Sequence, residues 1–287
     1  MKIVKTVDEM NEISSDLHSN GEKIGFVPTM GYLHEGHLSL VDAAKKKSST
    51  MVMSIYVNPT QFGHGEDFDR YPRDLSRDKK MAQGHGVNFI FAPTDSEMYP
   101  EEFGTFIDIE KAAYILEGEF RPGHFRGVTT VVAKLFNIVK PDIAVFGQKD
   151  AQQAFLVKKM VLDLNYATKI LIAPIVRESD GLALSSRNVY LSPPQRKEAT
   201  VLYRSLKLAK AMVTDGEKDL AKVHEMMVKM INAESEGRID YIAFVNPNTF
   251  EKVNEIKSIK EILALLAVRF GQTRLIDNLS LKVKNEM

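Results

Sequence analysis

Two histidines in a turn that contains proline and glycine are the first residues whose types and spacing could do chemistry. The turn spans residues 28–37, PTMGYLHEGH, and places His34 and His37 three residues apart. If a helix begins inside the turn, this spacing puts both imidazoles on one face, beside free N–H groups and a partial positive charge that suit a phosphate. A helix cap with two surface histidines and a zinc pair are the alternatives, although no third zinc ligand is evident.

A second polar segment, NPTQF, spans residues 58–62 and contains Asn58 and Gln61. Both side chains are neutral amides that donate and accept hydrogen bonds. They could recognise a hydroxyl or a carboxylate of a small substrate. They could equally satisfy the backbone of a turn.

The third segment, GQKD, spans residues 147–150. Gly147 lets a ligand approach the backbone closely, and Lys149 supplies a mobile cation. Asp150 could cap a following helix instead, with Gln153 one turn into that helix.

The fourth segment spans residues 177–188 and contains Ser185, Ser186 and Arg187. Two hydroxyls followed by a planar guanidinium indicate an anion clamp. A capped turn between two domains is the structural alternative, and in either case the segment lies where a hinge loop is expected.

The elements that must position these segments alternate between strands and helices in the first part of the chain. The sequence predicts strands over residues 24–29, 51–57, 87–92, 142–146 and 170–175. It predicts helices over residues 35–47, 75–83, 128–139 and 150–162. Such alternation is typical of βαβ units and a parallel sheet, which binds ligands at the carboxyl ends of its strands.

The last part of the chain has a different pattern. Helices are predicted over residues 194–213 and 218–234, and strands over 241–245, 265–270 and 274–276. This is a small α+β unit, and the boundary is placed near Val176. We therefore expect two domains, residues 1–175 and 176–287.

Composition excludes several classes of protein. Lys+Arg and Asp+Glu both total 38, so the formal net charge is zero, which argues against a nucleic-acid binder. No cysteine is present among the 287 residues, which excludes thiolate nucleophiles and disulfides. Without a signal peptide or a long apolar run, we expect a cytoplasmic protein that does not contact a membrane. Neither a P-loop nor GxGxxG occurs.

Taken in order, the motifs HEGH, VNPTQFG, YPRD, RPGHFRGV, FGQKDAQQ and LSSRN resemble the pantothenate synthetase (pantoate–β-alanine ligase) family, within the HIGH-type nucleotidyltransferase superfamily. The matches run from about Gly25 to Asn188, and TRLIDN at residues 273–278 also fits. Leu184 stands where the family commonly has Met, and Gln148 where Glu is also frequent. Neither departure puts activity in doubt.

The resemblance implies an α/β fold: a Rossmann-like parallel-sheet domain followed by a smaller α+β C-terminal domain acting as a lid. It also implies a homodimer, and Mg²⁺, ATP, pantoate and β-alanine as ligands. The positions that match the family's ATP site are Met30, Gly31, His34, His37, Gly147, Gln148, Lys149, Asp150, Val176, Leu184, Ser185, Ser186 and Arg187.

Gln61 and Gln153 match the family's pantoate contacts, and Asn58 is assigned with them to the site of pantoate and β-alanine. The catalytic assignments are His34, His37, Lys149 and Arg187, with His37 as the proton donor. No residue is assigned to a metal.

The reaction that this resemblance implies is adenylation of pantoate by ATP, followed by attack of β-alanine and release of AMP. An alternative is another HIGH-type nucleotidyltransferase that stops at nucleotide transfer to a small acceptor. Such an acceptor would be a phosphate and would need Arg or Lys, whereas Gln61 and Gln153 favour a hydroxy acid. A non-catalytic nucleotide-binding or tRNA-interacting protein is the alternative from another class.

Overall fold

Residues 1–257 and 259–283 are described by the computed structural model. Contacts within the chain divide it into two units. The first comprises Met1–Gln148 and Gln152–Pro174, and the second comprises Lys149–Ala151 together with the chain from Ile175 onward.

A six-stranded sheet forms the centre of the first unit, in the order β1-β4-β3-β2-β5-β6. Each neighbouring pair of its strands is parallel, so the predicted α/β class is confirmed. The strands are β1 Lys2–Val4, β2 Ile24–Thr29, β3 Thr50–Ile55, β4 Phe89–Phe91, β5 Ile143–Gly147 and β6 Lys169–Ala173.

Helices follow most of these strands and cover both faces of the sheet. They are α1 Val7–Ser19, α2 Glu35–Lys45, α3 Leu75–Gly84, α4 Asp95–Met98, α5 Glu117–Phe120, α6 His124–Val139 and α7 Ala151–Asp163. Successive side chains of a strand point to opposite faces. Phe26 accordingly packs in one core cluster and Val27 in another. Burial on both faces explains why the central strands read as continuous apolar runs.

The order of the strands reverses between β2 and β5. From β2 the chain proceeds through β3 to β4 on one side, whereas β5 and β6 lie on the other. Ligands of open parallel sheets bind outside the carboxyl ends of the strands at such a reversal. The turn after β2 and the segment after β5 are two of those that the sequence singled out.

The second unit contains an antiparallel sheet in the order β7-β8-β9. Its elements are α8 Pro193–Glu198, α9 Val201–Thr214, α10 Leu220–Glu234, β7 Arg238–Val245, β8 Glu261–Phe270 and β9 Thr273–Lys282. Apolar side chains of the helices, such as Leu206 and Val223, pack with Leu266 and Val268 of the sheet. The unit therefore has its own core.

Several local predictions differ from the structure. Strand β1 and helix α1 were not predicted, since a three-residue strand is too short to show a period. The single helix predicted over residues 194–213 is two helices. At Ala199 and Thr200 the backbone keeps helical angles with ψ near −19°, a tight 3₁₀-like turn that hydrophobic spacing does not detect.

The strand predicted over residues 274–276 is also longer in the structure, since β9 continues to Lys282. Asp277 and Asn278 interrupt its apolar pattern, yet both are buried.

Among the described residues, no helix has the length and apolar character needed to cross a bilayer.

Candidate active site

The turn after β2 ends in a helix cap built from two histidines. His34 is the N-cap of α2, and its Nδ1 accepts the N–H of Gly36 at 3.1 Å. The N–H of His34 in turn donates to Nδ1 of His37 at 3.3 Å. The two ring centroids are 4.0 Å apart. The helix-cap interpretation is therefore correct for both residues, and it orients the rings rather than leaving them as loose surface groups.

This capping arrangement determines where each ring carries its proton. A neutral imidazole has one donor and one acceptor nitrogen. Because Nδ1 of His34 and Nδ1 of His37 both accept backbone N–H groups, the proton of each neutral ring lies on Nε2. The pair therefore presents Nε2–H donors at a helix N-terminus, where the macrodipole favours an anion. The arrangement suits the oxygens of a phosphate.

A buried carboxylate holds the backbone that precedes this cap. Asp78 of α3, only 1% exposed, accepts the N–H of Tyr32 and the N–H of Leu33, both at 2.7 Å. Burial raises the pKa of Asp78, and the two N–H groups and Arg77 offset part of that rise. Gly31 has φ +85° and Tyr32 has φ +50°, so the carboxylate stabilises a backbone that most residues avoid.

Sequence reasoning missed Asp78. An acidic residue in the first turn of a helix is ordinarily explained by the helix dipole, and nothing local indicates a partner more than forty positions earlier. The only available signal was its position four residues beyond Asp74, the N-cap of α3. That spacing does not distinguish a buried carboxylate from an exposed one.

The segment after β3 brings Asn58, Gln61 and Met30 together. Asn58 Nδ2 donates to Gln61 Oε1 at 3.0 Å and to the carbonyl of Gly127 at 3.2 Å. Its Oδ1 accepts the hydroxyl of Tyr99 at 2.7 Å. Gln61 Nε2 lies 3.2 Å from Sδ of Met30.

Asn58 is 1% exposed, and its amide bonds to protein groups through both of its ends. These contacts favour a role in orienting the amide of Gln61. The direct contact of Asn58 with substrate that the sequence analysis assigned stays a prediction.

Gly147 and Gln148 follow β5 at the same carboxyl edge of the sheet. Gly147 pairs with Ala173 of β6, and Gln148 begins a 3₁₀ turn. In α7, Gln152 is buried and donates to the carbonyls of Ala112 and Ile115 at 2.7 and 2.8 Å. Gln153 is the next residue, about 100° further around the helix, and is half-buried. The two adjacent glutamines therefore point in different directions, and only Gln152 makes these internal contacts.

Lys149 and Asp150 belong to the second unit, where their charges lie 3.3 Å apart. The main-chain carbonyl of Lys149 accepts a hydrogen bond from Nδ2 of Asn278 at 3.0 Å. Asn278 lies in β9, in the motif TRLIDN, to which sequence reasoning gave no role. The position of the lysine backbone is therefore set by the last strand of the sheet.

A buried ion pair fixes the start of the fourth segment. Both guanidinium Nη atoms of Arg177 donate to the Asp277 carboxylate, at 2.6 and 2.8 Å, and the guanidinium stacks 3.9 Å from the ring centre of Tyr203. Burial raises the pKa of Asp277, although Arg177 acts in the opposite direction. Sequence reasoning missed this aspartate as well.

The remaining residues of this segment form a hairpin and a short helical turn. The N–H of Leu184 donates to the carbonyl of Val176 at 3.0 Å, so these two residues are neighbours. Ser185 caps the 3₁₀ turn Ser186–Tyr190 by accepting the N–H of Arg187 at 3.3 Å. The capped-turn interpretation is thus met by Ser185, and Ser186 is buried directly after it.

Comparison with known proteins gives a consistent result over the whole chain. The pantoate-beta-alanine ligase family model matches residues 2–280. The pantothenate synthetase of Caldicellulosiruptor bescii is 55% identical over 284 residues, which cover 99% of this chain and 100% of the relative. That of Moorella thermoacetica is 51% identical over 285 residues, with 99% and 100% covered.

Solved structures agree with these relatives. The pantothenate synthetase of Thermus thermophilus superposes with a TM-score of 0.91 at 46% identity, covering 97% of this chain and 99% of that one. The pantoate-beta-alanine ligase of Francisella tularensis, complexed with beta-gamma ATP and beta-alanine, has a TM-score of 0.80 at 35% identity, and 97% of each chain is covered.

Proposed function

Because this chain belongs to the pantoate-beta-alanine ligase family, we propose that it joins pantoate to β-alanine with ATP, through a pantoyl adenylate. The observation that supports this most is the pair of Nε2–H donors on His34 and His37 at the N-terminus of α2. They lie in the turn after β2, which ends at the same edge of the sheet as the segment holding Gln61.

The chemistry requires two displacements. A carboxylate oxygen of pantoate attacks the α-phosphorus of ATP, the bond to the bridging oxygen of the β-phosphate breaks, and pyrophosphate leaves. The neutral amine of β-alanine then attacks the acyl carbon, the bond from that carbon to AMP breaks, and the amine proton is lost. Adenylation is needed because a carboxylate is a poor electrophile and oxide a poor leaving group.

In the first unit, we propose that His34 and His37 donate to the phosphates as negative charge develops on them. One such donor typically contributes about 10²–10³ in rate. Met30, Gly31, Gly147 and Gln148 would contact the nucleotide through the backbone of their turns. Gln61 and Gln153 would recognise pantoate, because neutral amides suit its hydroxyl and carboxylate and do not select a phosphate.

In the second unit, we propose that Lys149 and Arg187 counter the charge of the departing pyrophosphate. Asp150, Val176, Leu184, Ser185 and Ser186 complete the proposed nucleotide contacts. The chain from residue 176 onward is proposed to act as a lid that shields the adenylate from water.

Magnesium is proposed to arrive as the counter-ion of the ATP phosphates, a common mode for this ion. Within residues 1–257 and 259–283, no group of three or more metal-ligating side chains is found. We also propose that the protein is a cytoplasmic homodimer.

Isotope exchange tests the adenylate route. Labelled pyrophosphate should enter ATP when pantoate is present and β-alanine is absent, because the first step needs no amine. Arg187→Ala should slow this exchange. A ligase that worked through an acyl phosphate would form ADP and show no such exchange. ADP as product, or exchange that strictly requires β-alanine, would overturn the proposal.

A nucleotidyltransferase that stops at transfer would release no AMP after the amine is added.

A further inference from the structure

His124 is buried beside the proposed pantoate site, and both of its ring nitrogens are engaged. It is the first residue of α6 and 8% exposed. Its Nδ1 lies 2.8 Å from the main-chain carbonyl oxygen of Gln61. Its Nε2 lies 3.0 Å from Nη1 of Arg121.

These two partners determine the protonation of the ring. A carbonyl oxygen only accepts and a guanidinium only donates. His124 must therefore donate from Nδ1 to Gln61 and accept at Nε2 from Arg121, which is a neutral ring with its proton on Nδ1. Burial lowers the pKa of His124 to about 4, and the charge of Arg121 contributes to the lowering. The ring therefore keeps this form at neutral pH.

The guanidinium of Arg121, which donates to Nε2 of His124, is itself held by the carboxylate of Glu66. Nε and Nη2 of Arg121 donate to the two oxygens of Glu66 at 2.8 and 2.7 Å. Although burial raises the pKa of Glu66, the hydrogen bonds and charge of Arg121 lower it below its usual value. The order of contacts is thus Glu66, Arg121, His124 and the carbonyl of Gln61. Glu66 is itself half-buried.

The main chain of Gln61 needs support from His124 because the helical turn that contains Gln61 is only three residues long. The residues Pro59–Gln61 form a single 3₁₀ turn, and one turn contributes few internal hydrogen bonds. Asn58 orients the side-chain amide of Gln61, whereas His124 holds its main-chain carbonyl. The side chain and the main chain of Gln61 are therefore held by two different residues.

We infer that His124 is a positioning residue for the pantoate site, acting through the hydrogen bond from its Nδ1–H to the main-chain carbonyl of Gln61. The inference rests on the proposed role of Gln61 in binding pantoate. It also gives a function to the motif RPGHFRGV, since the sequence analysis assigned no role to Arg121 or His124.

Two conservative replacements of His124 test its two hydrogen bonds separately. In His124→Asn, the amide nitrogen occupies approximately the place of Nδ1, so the donor to Gln61 is kept and the acceptor for Arg121 is lost. In His124→Gln, the amide reaches the place of Nε2, so the acceptor is kept and the donor is lost. We expect His124→Gln to raise KM for pantoate about three- to tenfold, the effect of one lost hydrogen bond, with KM for ATP nearly unchanged. His124→Asn should stay within about twofold of the wild type.

Controls separate this inference from the proposed function. His85→Gln makes the same change at the end of α3, where the ring contacts Asp42, and should leave both KM values unchanged. Thermal unfolding of each full-length variant shows whether it is folded. If Gln61→Ala weakens pantoate binding but His124→Gln does not, or if the Asn and Gln variants behave alike, the inference is wrong while the proposed function stands. If Gln61→Ala leaves pantoate binding unchanged, the proposed role of Gln61 and the inference about His124 are both wrong.

Discussion

At the scale of single residues, backbone groups set the chemistry of the two histidines in the turn after β2. The N–H of His34 donates to Nδ1 of His37, and the N–H of Gly36 donates to Nδ1 of His34, so each neutral ring carries its proton on Nε2. A replacement that keeps a donor at that position should preserve part of the activity, and one that removes it should not.

His37 provides this test. We expect His37→Ala to lower kcat by about 10², because a donor to transition-state charge is lost. His37→Gln should retain more activity than His37→Ala, since its amide nitrogen lies near the place of Nε2. Steady-state kinetics with saturating ATP and pantoate measure both variants. Equal losses for the two, or near-normal turnover of His37→Ala, would show that the ε donor has no such role.

Gln153 provides a second test at this scale. The side-chain amide of the neighbouring Gln152 donates hydrogen bonds to two carbonyls of the first unit, whereas Gln153 is proposed to bind pantoate. Gln153→Ala should therefore weaken pantoate binding about tenfold, as expected for loss of hydrogen bonds to a charged ligand, and leave ATP binding almost unchanged. Calorimetry with each ligand separately measures this. A similar loss for both ligands would contradict the assignment.

At the scale of elements, the proposed pantoate segment depends on how closely α6 approaches the 3₁₀ turn Pro59–Gln61. A Cβ added to Gly127 would lie 2.2 Å from the carbonyl oxygen of Thr60 and 2.7 Å from Cα of Gln61. Both are backbone atoms, which cannot move aside as the end of a side chain can. A glycine in the first turn of α6 is therefore required here, because any larger residue would meet these backbone atoms.

Gly127→Ala should lower the free energy of unfolding on the order of 1–3 kcal/mol, the usual cost of overpacking. Gly84→Ala is the matched control, because Gly84 also lies in a helix and a Cβ there meets no atom within 4 Å. The control should be neutral or stabilising by up to about 1 kcal/mol. Denaturant unfolding of both variants measures the difference. Equal stability of the two would show that the helix and the turn can separate without loss.

At the scale of the whole molecule, stability is expected to depend on pH through groups whose pKa differs between the folded and the unfolded chain. His124 is the group whose shift gives a defined range. Its pKa is about 4 in the folded protein and about 6.5 in an unfolded chain. Between these values the unfolded chain binds a proton that the folded protein does not, so the free energy of unfolding rises with pH.

We therefore expect the wild type to lose stability as the pH falls from about 6.5 to about 4, by at most on the order of 3 kcal/mol from this residue. His124→Asn has no ring to protonate, so the difference in stability between the two proteins should shrink or reverse over the same range. Urea unfolding at a series of pH values measures it. A difference that does not change with pH would mean that His124 has nearly the same pKa in both states.

The sequence by itself determined the elements and the residue types of the candidate site. Alternating apolar runs and helical spacing were sufficient for the central strands, since β2 has the predicted bounds. Strands buried on both faces leave a strong local signal. The turn with His34 and His37 was recognisable because a helix cap is also local, and the order of the motifs was sufficient to indicate the family.

Only the tertiary structure decided what holds those residues in place. Asp78 lies more than forty positions from the turn it binds, His124 lies 63 positions from Gln61, and Asp277 lies 100 positions from Arg177. A contact between distant residues leaves no period or spacing in the sequence, and a carboxylate or an imidazole on a helix is ordinarily a solvated group. Each of these side chains is instead buried. A buried polar group must find a partner, and the fold alone determines which partner that is.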